Sequence, residues 1–344
     1  VSVIRKSGGG FRVDQEITVG NEPRGCAVNE KGNRLVVANH TEARRILIGT
    51  SGYSFADWVG PFYPPGMRSS EFLSFYARHF DAVELNSTYY RIPHPRVMEQ
   101  MERKTPDGFR FVVKLNQAMT HQGSRDPALY REFLAVLEPL KRAEKYDGLL
   151  AQFPWGFRRT DGNRRHLAAL RDLLPGEPLF VEFRHDSWLT PQLEPSLRSH
   201  HIGYCAVDEP ALDGLLPPVT MVTTEDAYVR FHGRNPRNWW ASGERGERGK
   251  ASVAHEAPAR PATLPDLLGG PGGGRAAEGG GPARSPDRYD YDYSEAELRE
   301  WMVKIAGLAE QARRTYLFFN NCHAGQAARN AKLMQELLRQ QSLA

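Results

Sequence analysis

Short apolar runs alternate with longer stretches of helical period along most of the chain. Strand-like runs fall at 46–50, 82–86, 109–114, 148–153, 179–184, 202–208, 227–232 and 315–321. Helix-like stretches at 69–80, 95–104, 128–146, 163–174, 191–200 and 294–313 separate most of them, and one at 324–340 follows the last. The helix after the sixth strand is short or missing. Ser69 and Ser294 stand as N-caps, with Glu297 at capping-box spacing from Ser294. Eight strands joined by helical crossovers predict a closed parallel (β/α)8 TIM-like barrel. An open doubly wound sheet normally carries a glycine-rich phosphate loop, and neither GxGxxG nor GxxxxGK[ST] is present.

Residue parity within the strands locates a site. Side chains along a barrel strand alternate between the interior and the helix layer. Glu182 and Arg184 share one face while Val181 and Phe183 share the other. Glu84 and Asn86 oppose Val83 and Leu85, and Tyr228, Arg230 and His232 oppose Val229 and Phe231. Tyr316, Phe318 and Asn320 oppose Leu317 and Phe319. The apolar set must face the helices, so the polar set points inward. Lys114, Gln152 and Asp208 also end their strands, so polar groups gather at the C-terminal mouth, where barrel enzymes build active sites.

Two segments break the pattern. Residues 244–288 hold ten Gly and six Pro in 45 residues with no aromatic, which reads as a disordered insertion in a surface loop. Residues 14–40 read as short strands with turns at Gly20-Asn21 and Lys31-Gly32-Asn33, and they resemble a single YVTN-type β-propeller repeat. One blade cannot bury its own faces, so 1–45 is read as an orphan N-terminal extension without an assigned function.

The formal charge of +4 lies in these two segments, which carry net +3 (1–45) and +1 (244–288) and leave the rest neutral. Whole-chain charge is therefore weak support for nucleic-acid binding. Three cysteines without CxxC spacing fit a reducing compartment. The start lacks a secretory-type segment and no run is long enough to span a membrane, so a cytoplasmic location without a membrane partner is expected.

Ile48-Gly-Thr-Ser-Gly-Tyr53 with Trp58 and Phe62-Tyr-Pro64, and the run from Phe80 through Glu84 and Asn86 to Tyr90, form the first motifs. Phe111-Val-Val-Lys114, Phe180-Val-Glu-Phe-Arg184, Ala227 to Gly233 and Phe318-Phe-Asn-Asn321 follow in order. Together they resemble the YecE-like family, a domain of unknown function, over about 46–243 and 289–341. The resemblance implies a TIM-like barrel. Shared architecture with apurinic endonucleases and sugar isomerases points, by fold analogy alone, to phosphodiester or nucleic-acid chemistry. The chain departs from the family in its N-terminal extension and in 244–288, which separates Asn238-Trp-Trp240 from Tyr289-Asp-Tyr-Asp-Tyr293.

The leading expectation is a hydrolase or other enzyme acting on a phosphorylated or phosphodiester substrate. Glu84 and Glu182 are candidate acid–base groups and His232 a proton shuttle. Lys114, Arg184 and Arg230 would hold the anion. Tyr53, Asn86, Tyr89, Gln152, Asp208 and Asn320 complete the candidate substrate-binding set. No metal and no cofactor is expected, since HxH and HExxH spacings are missing and three cations lie close by. Two rivals stand beside it. A carbohydrate-active enzyme would pair Glu84 with Glu182 and stack sugars on Trp58, Trp155, Trp188 or Trp239. A non-catalytic nucleic-acid- or partner-binding module would bind through a basic rim.

Overall fold

The computed structural model describes residues 2–7, 10–16, 23–28, 35–39, 45–237, 239–240 and 289–342. The chain divides into two compact units, Val1–Arg45 and Ile46–Ala344. In the first, Ser2–Ser7 pairs antiparallel with Gly10–Glu16, and Pro23–Val28 with Leu35–Asn39. The turns expected at Gly20-Asn21 and Lys31-Gly32-Asn33, and the 244–288 insertion, lie outside the described residues.

The second unit is a closed eight-stranded parallel barrel. Its strands are β1 (Arg45–Ser51), β2 (Ala82–Leu85), β3 (Arg110–Lys114), β4 (Tyr146–Gln152), β5 (Leu179–Glu182), β6 (Ile202–Asp208), β7 (Asp226–Phe231) and β8 (Arg314–Phe319). They neighbour one another in chain order and β8 closes on β1. The (β/α)8 expectation therefore holds. The β1–β2 contact is tight: a Cβ on Gly49 would lie 2.0 Å from the Ala82 carbonyl oxygen, so glycine alone fits there.

Helices Pro95–Arg103, Asp161–Asp172, Leu193–Ser199, Glu295–Gln311 and Gln326–Ser342 lie where helical periodicity placed them. The stretch expected as one helix over 128–146 is two, Pro127–Ala135 and Glu138–Arg142. Pro139 has no N–H to continue a helix and instead sits in the first turn of the second. Ser294 caps Glu295–Gln311 in a capping box, accepting from Glu297 N while Glu297 accepts from Ser294 N at 2.8 Å. Ser69 does not cap; Arg68 precedes that turn, its N–H donating to the Glu71 carboxylate at 3.3 Å. Among the described residues, the β6–β7 connection contains no helix.

The barrel interior is layered. Phe180, Tyr228, Tyr316 and Phe318 form an aromatic belt with ring centroids 4.8–6.1 Å apart. That belt separates a charged cluster at the N-terminal end from a larger one at the mouth.

Candidate functional site

Arg230 on β7 is the hub of the mouth and is buried. Its Nη1 donates to Glu182 Oε2 at 2.5 Å, and its Nη2 to Glu84 Oε1 at 2.7 Å and Ser51 Oγ at 3.3 Å. One guanidinium thus ties β1, β2, β5 and β7, the planar fork matching two carboxylates at once. Burial opposes its charge, but Glu182 and Glu84 keep its pKa well above the usual value. The second Glu84 oxygen accepts from the Tyr228 hydroxyl at 2.7 Å.

Glu182 is equally committed. Arg184 Nε donates to its Oε1 at 2.5 Å, and Arg184 Nη1 lies 3.5 Å from Glu209 Oε2. Burial works against ionisation, yet Arg230, Arg184 and His232 pull the Glu182 pKa well below the carboxylate range. His232 Nε2 lies 3.2 Å from Glu182 Oε1 but is poorly aligned for a hydrogen bond, so that contact is chiefly electrostatic. Asn320 Nδ2 is 2.9 Å from His232 Nδ1, so an imidazole accepting from that amide carries its proton on Nε2. Burial first, then Arg184, hold the His232 pKa well below its ordinary value, with Glu182 opposing, so the ring is neutral at pH 7.

Lys114 differs from every other cation here. It ends β3, is half-buried, and holds Nζ 4.3 Å over the Tyr89 ring. Among the described residues its amine makes no hydrogen bond and no ion pair. Burial, with Arg230, lowers its pKa to about 7 against the pull of Glu84 and Glu182. Leu85 pairs with Val113 in the β2–β3 register, which sets Asn86 beside Lys114 at the strand ends. The Asn86 Oδ1 is buried without a hydrogen-bond partner.

The structure thus brings Glu84, Glu182, His232, Lys114, Arg184, Arg230, Asn86 and Asn320 together. Gln152 pairs in register with Glu182, but its amide donates to the Phe153 carbonyl at 2.8 Å. Tyr53 is buried, its ring 6.1 Å from that of Tyr76. Asp208 is placed differently from the rest. It faces the helix layer, accepting from Trp301 Nε1 at 2.5 Å, the Tyr293 hydroxyl at 2.7 Å and Arg234 Nη2 at 2.7 Å. On β6 the inward parity belongs to Cys205, Val207 and the following Glu209. The Cys205 thiol lies 3.8 Å from Glu182 Oε2, and Glu209 Oε1 accepts from Leu216 N at 3.1 Å. Ser51 and Glu209 are mouth residues that sequence reasoning left out, and Tyr228, which parity turned inward, was given no role there. Burial pushes the Cys205 thiol well above its ordinary pKa, which removes it as a nucleophile at neutral pH.

Aromatic residues roof the cluster. The Trp239 ring is buried, 5.7 Å from the Arg184 guanidinium and 6.4 Å from the His232 ring. Tyr289 lies 6.3 Å from His232, and Trp155 packs on Trp240 at 5.4 Å. Trp58 and Trp188 are elsewhere: each is buried, with its indole N–H on a backbone carbonyl. No group of three or more His, Cys, Asp or Glu side chains among the described residues is placed to hold a metal ion. No described helix is long and apolar enough to cross a membrane.

Fold and site together define a TIM-like barrel protein with a buried ionic network at its C-terminal mouth. The family model described as "Protein of unknown function DUF72" matches residues 47–344, and the chain belongs to that family. The propeller-like stretch lies outside the match. UPF0759 protein YunF of Bacillus subtilis (strain 168) is 30% identical over 305 residues, 85% of this chain and 94% of that protein. UPF0759 protein YecE of Escherichia coli (strain K12) is 33% identical over 174 residues, 49% of this chain and 59% of that protein. The crystal structure of a DUF72 family protein from Thermotoga maritima MSB8 superposes with a TM-score of 0.68 at 35% identity, covering 86% of this chain and 99% of that one.

Proposed function

We propose that the chain is an enzyme whose mouth takes an anionic, phosphorylated or phosphodiester substrate. The observation that carries this reading is an imbalance of partners. Both oxygens of Glu84, Glu182 and Glu209 already accept from Arg230, Arg184, Tyr228 or Leu216 N. Among the described residues Lys114 is left without an anion, and a phosphate or carboxylate of a substrate would complete the pair. Arg230 and Arg184 then act as scaffold and local field rather than as free anion clamps. His232, neutral and fixed by Asn320, is suited to passing a proton.

The carbohydrate reading loses ground on the same geometry. Glu182 is held ionised and has no proton to give a leaving group, and both candidate carboxylates grip one guanidinium. Ring stacking on Trp240 or Tyr289 is compatible with a nucleotide or a sugar phosphate.

The test is a thermal-shift series with sugar phosphates, nucleotides, short DNA and RNA, neutral sugars and divalent cations. A phosphorylated compound should stabilise the wild type and not Lys114→Met. Because a bound anion favours the charged amine, affinity should fall about tenfold per pH unit above pH 7. Stabilisation by neutral sugars alone, or phosphate binding that ignores Lys114→Met, would sink the reading.

A further inference from the structure

We propose that Lys114 is a covalent catalyst that forms a Schiff base with an aldehyde or ketone bound at the barrel mouth. This goes beyond the anion-binding reading and does not depend on the substrate bearing a phosphate.

Three features of the site converge. The amine sits at the C-terminal end of β3, where a barrel presents reactive groups, and is reachable from solvent while Glu84, Glu182, Arg230 and His232 are buried. Its surroundings disfavour the ammonium: an aromatic face at 4.3 Å, no hydrogen bond or ion pair among the described residues, and two neighbouring guanidiniums. Lysines activated in this way, by desolvation and nearby cations, attack carbonyl carbon. The neutral fraction is large at pH 7, because burial and Arg230 lower the pKa to about 7. The third feature is the buried Asn86 Oδ1 on the adjacent strand end, which lacks a donor. A substrate hydroxyl, the carbinolamine O–H or an iminium N–H would supply one.

The chemistry balances without an oxidant or reductant. The Nζ lone pair forms a bond to the carbonyl carbon, and the C=O π electrons move to oxygen. One N–H proton passes to that oxygen, giving a neutral carbinolamine. Its nitrogen lone pair then forms C=N as the C–O bond breaks, and the oxygen takes one further proton and leaves as water. The iminium so formed is an electron sink for proton removal or carbon–carbon cleavage at the neighbouring carbon, and water returns the lysine by the reverse path.

Trapping tests it on the full chain. Wild type would be treated with glycolaldehyde and sodium cyanoborohydride between pH 6 and 9, and the reduced adducts quantified by peptide mass spectrometry. Lys114 should be modified at least tenfold faster than exposed Lys332 at pH 7, with a rate that levels off above about pH 7 while that of Lys332 keeps rising. Tyr89→Ala, which strips the aromatic face and admits water, should shift that levelling to higher pH. Its folding would be checked by melting temperature. Equal labelling of Lys114 and Lys332, or a Lys114 rate still rising at pH 9, overturns the proposal. Phosphate-dependent stabilisation without selective trapping would leave the anion reading intact and remove this one; selective trapping without phosphate binding would do the opposite.

Discussion

The barrel holds an ionic cluster at each end, and the two differ in what they leave over. At the N-terminal end Asp147 Oδ1 accepts from Arg314 at 2.7 Å with Arg110 3.6 Å away, and Oδ2 accepts from the Tyr316 hydroxyl at 2.6 Å. Both carboxylate oxygens are used, and the arginines reach solvent at 14–20% exposure. At the mouth the carboxylates are saturated too, but among the described residues Asn86 Oδ1, Arg230 Nε and His232 Nε2 are buried without a hydrogen-bond partner. Burying unmatched polar atoms costs free energy that a structural network would avoid by closing, as the lower one does. The difference supports the proposed ligand chemistry at the mouth and a fastening role at the base.

The largest expected effect comes from removing the hub. Arg230→Met leaves Glu84 and Glu182 buried without their shared cation and should cost about 3–5 kcal/mol. Urea denaturation with an unchanged m-value would measure it. A loss below about 1 kcal/mol would mean the carboxylates repartner with Lys114, and the mouth would then be as self-sufficient as the base.

That hub was legible because β7 reads polar–apolar–polar against Val229 and Phe231, so parity alone turned Arg230 and His232 inward. The same parity found Glu84 and Glu182. Asp208 was taken into the set because it ends its strand, without a parity argument. On β6 the inward set is Cys205, Val207 and the following Glu209, and Asp208 turns to the helix layer. Its partners Trp301 and Tyr293 lie 93 and 85 residues further on, beyond local pattern. Glu209 was missed for the complementary reason, since it stands one residue past the strand. No periodicity could show that Lys114 would lack an ion pair among the described residues, because that depends on how Arg230 and Arg184 divide the carboxylates between them.

The second prediction sets the two ends against each other with pH. Burial raises the Asp147 pKa above 3.8, despite Tyr316 and Arg314, so ionisation there weakens the fold. Wild-type stability relative to Asp147→Asn should therefore shrink as pH rises from about 3.8 to the raised value. Glu182 is depressed below 4.5, so its contribution is complete above that pH and is lost as pH falls. Wild-type stability relative to Glu182→Gln should grow with pH up to about 4.5. Urea midpoints between pH 2.5 and 6 would show slopes of opposite sign. At pH 7 Asp147→Asn should cost about 1–2 kcal/mol, reduced by the solvent around its arginines, and leave ligand binding unchanged. Slopes of the same sign would erase the distinction between the clusters.

The smallest effect is the sharpest discriminator. A lysine whose pKa falls from 10.5 to about 7 is charged at a cost to the folded state, chiefly through burial and Arg230. That cost is fully present below pH 7 and fades as pH rises from 7 to 10.5, so wild-type stability should climb over that window. Lys114→Met removes the charge and keeps the stem over Tyr89. It should raise the melting temperature by about 1–3 °C at pH 7, consistent with a gain below about 1 kcal/mol in a unit of this size. The gap should close towards pH 10. A fall in melting temperature would mean that Lys114 steadies Glu84 and Glu182 as Arg314 steadies Asp147, and its lack of a direct partner would then carry no functional meaning. A rise coupled to loss of ligand binding would show a residue held at the expense of stability for what it does at the mouth.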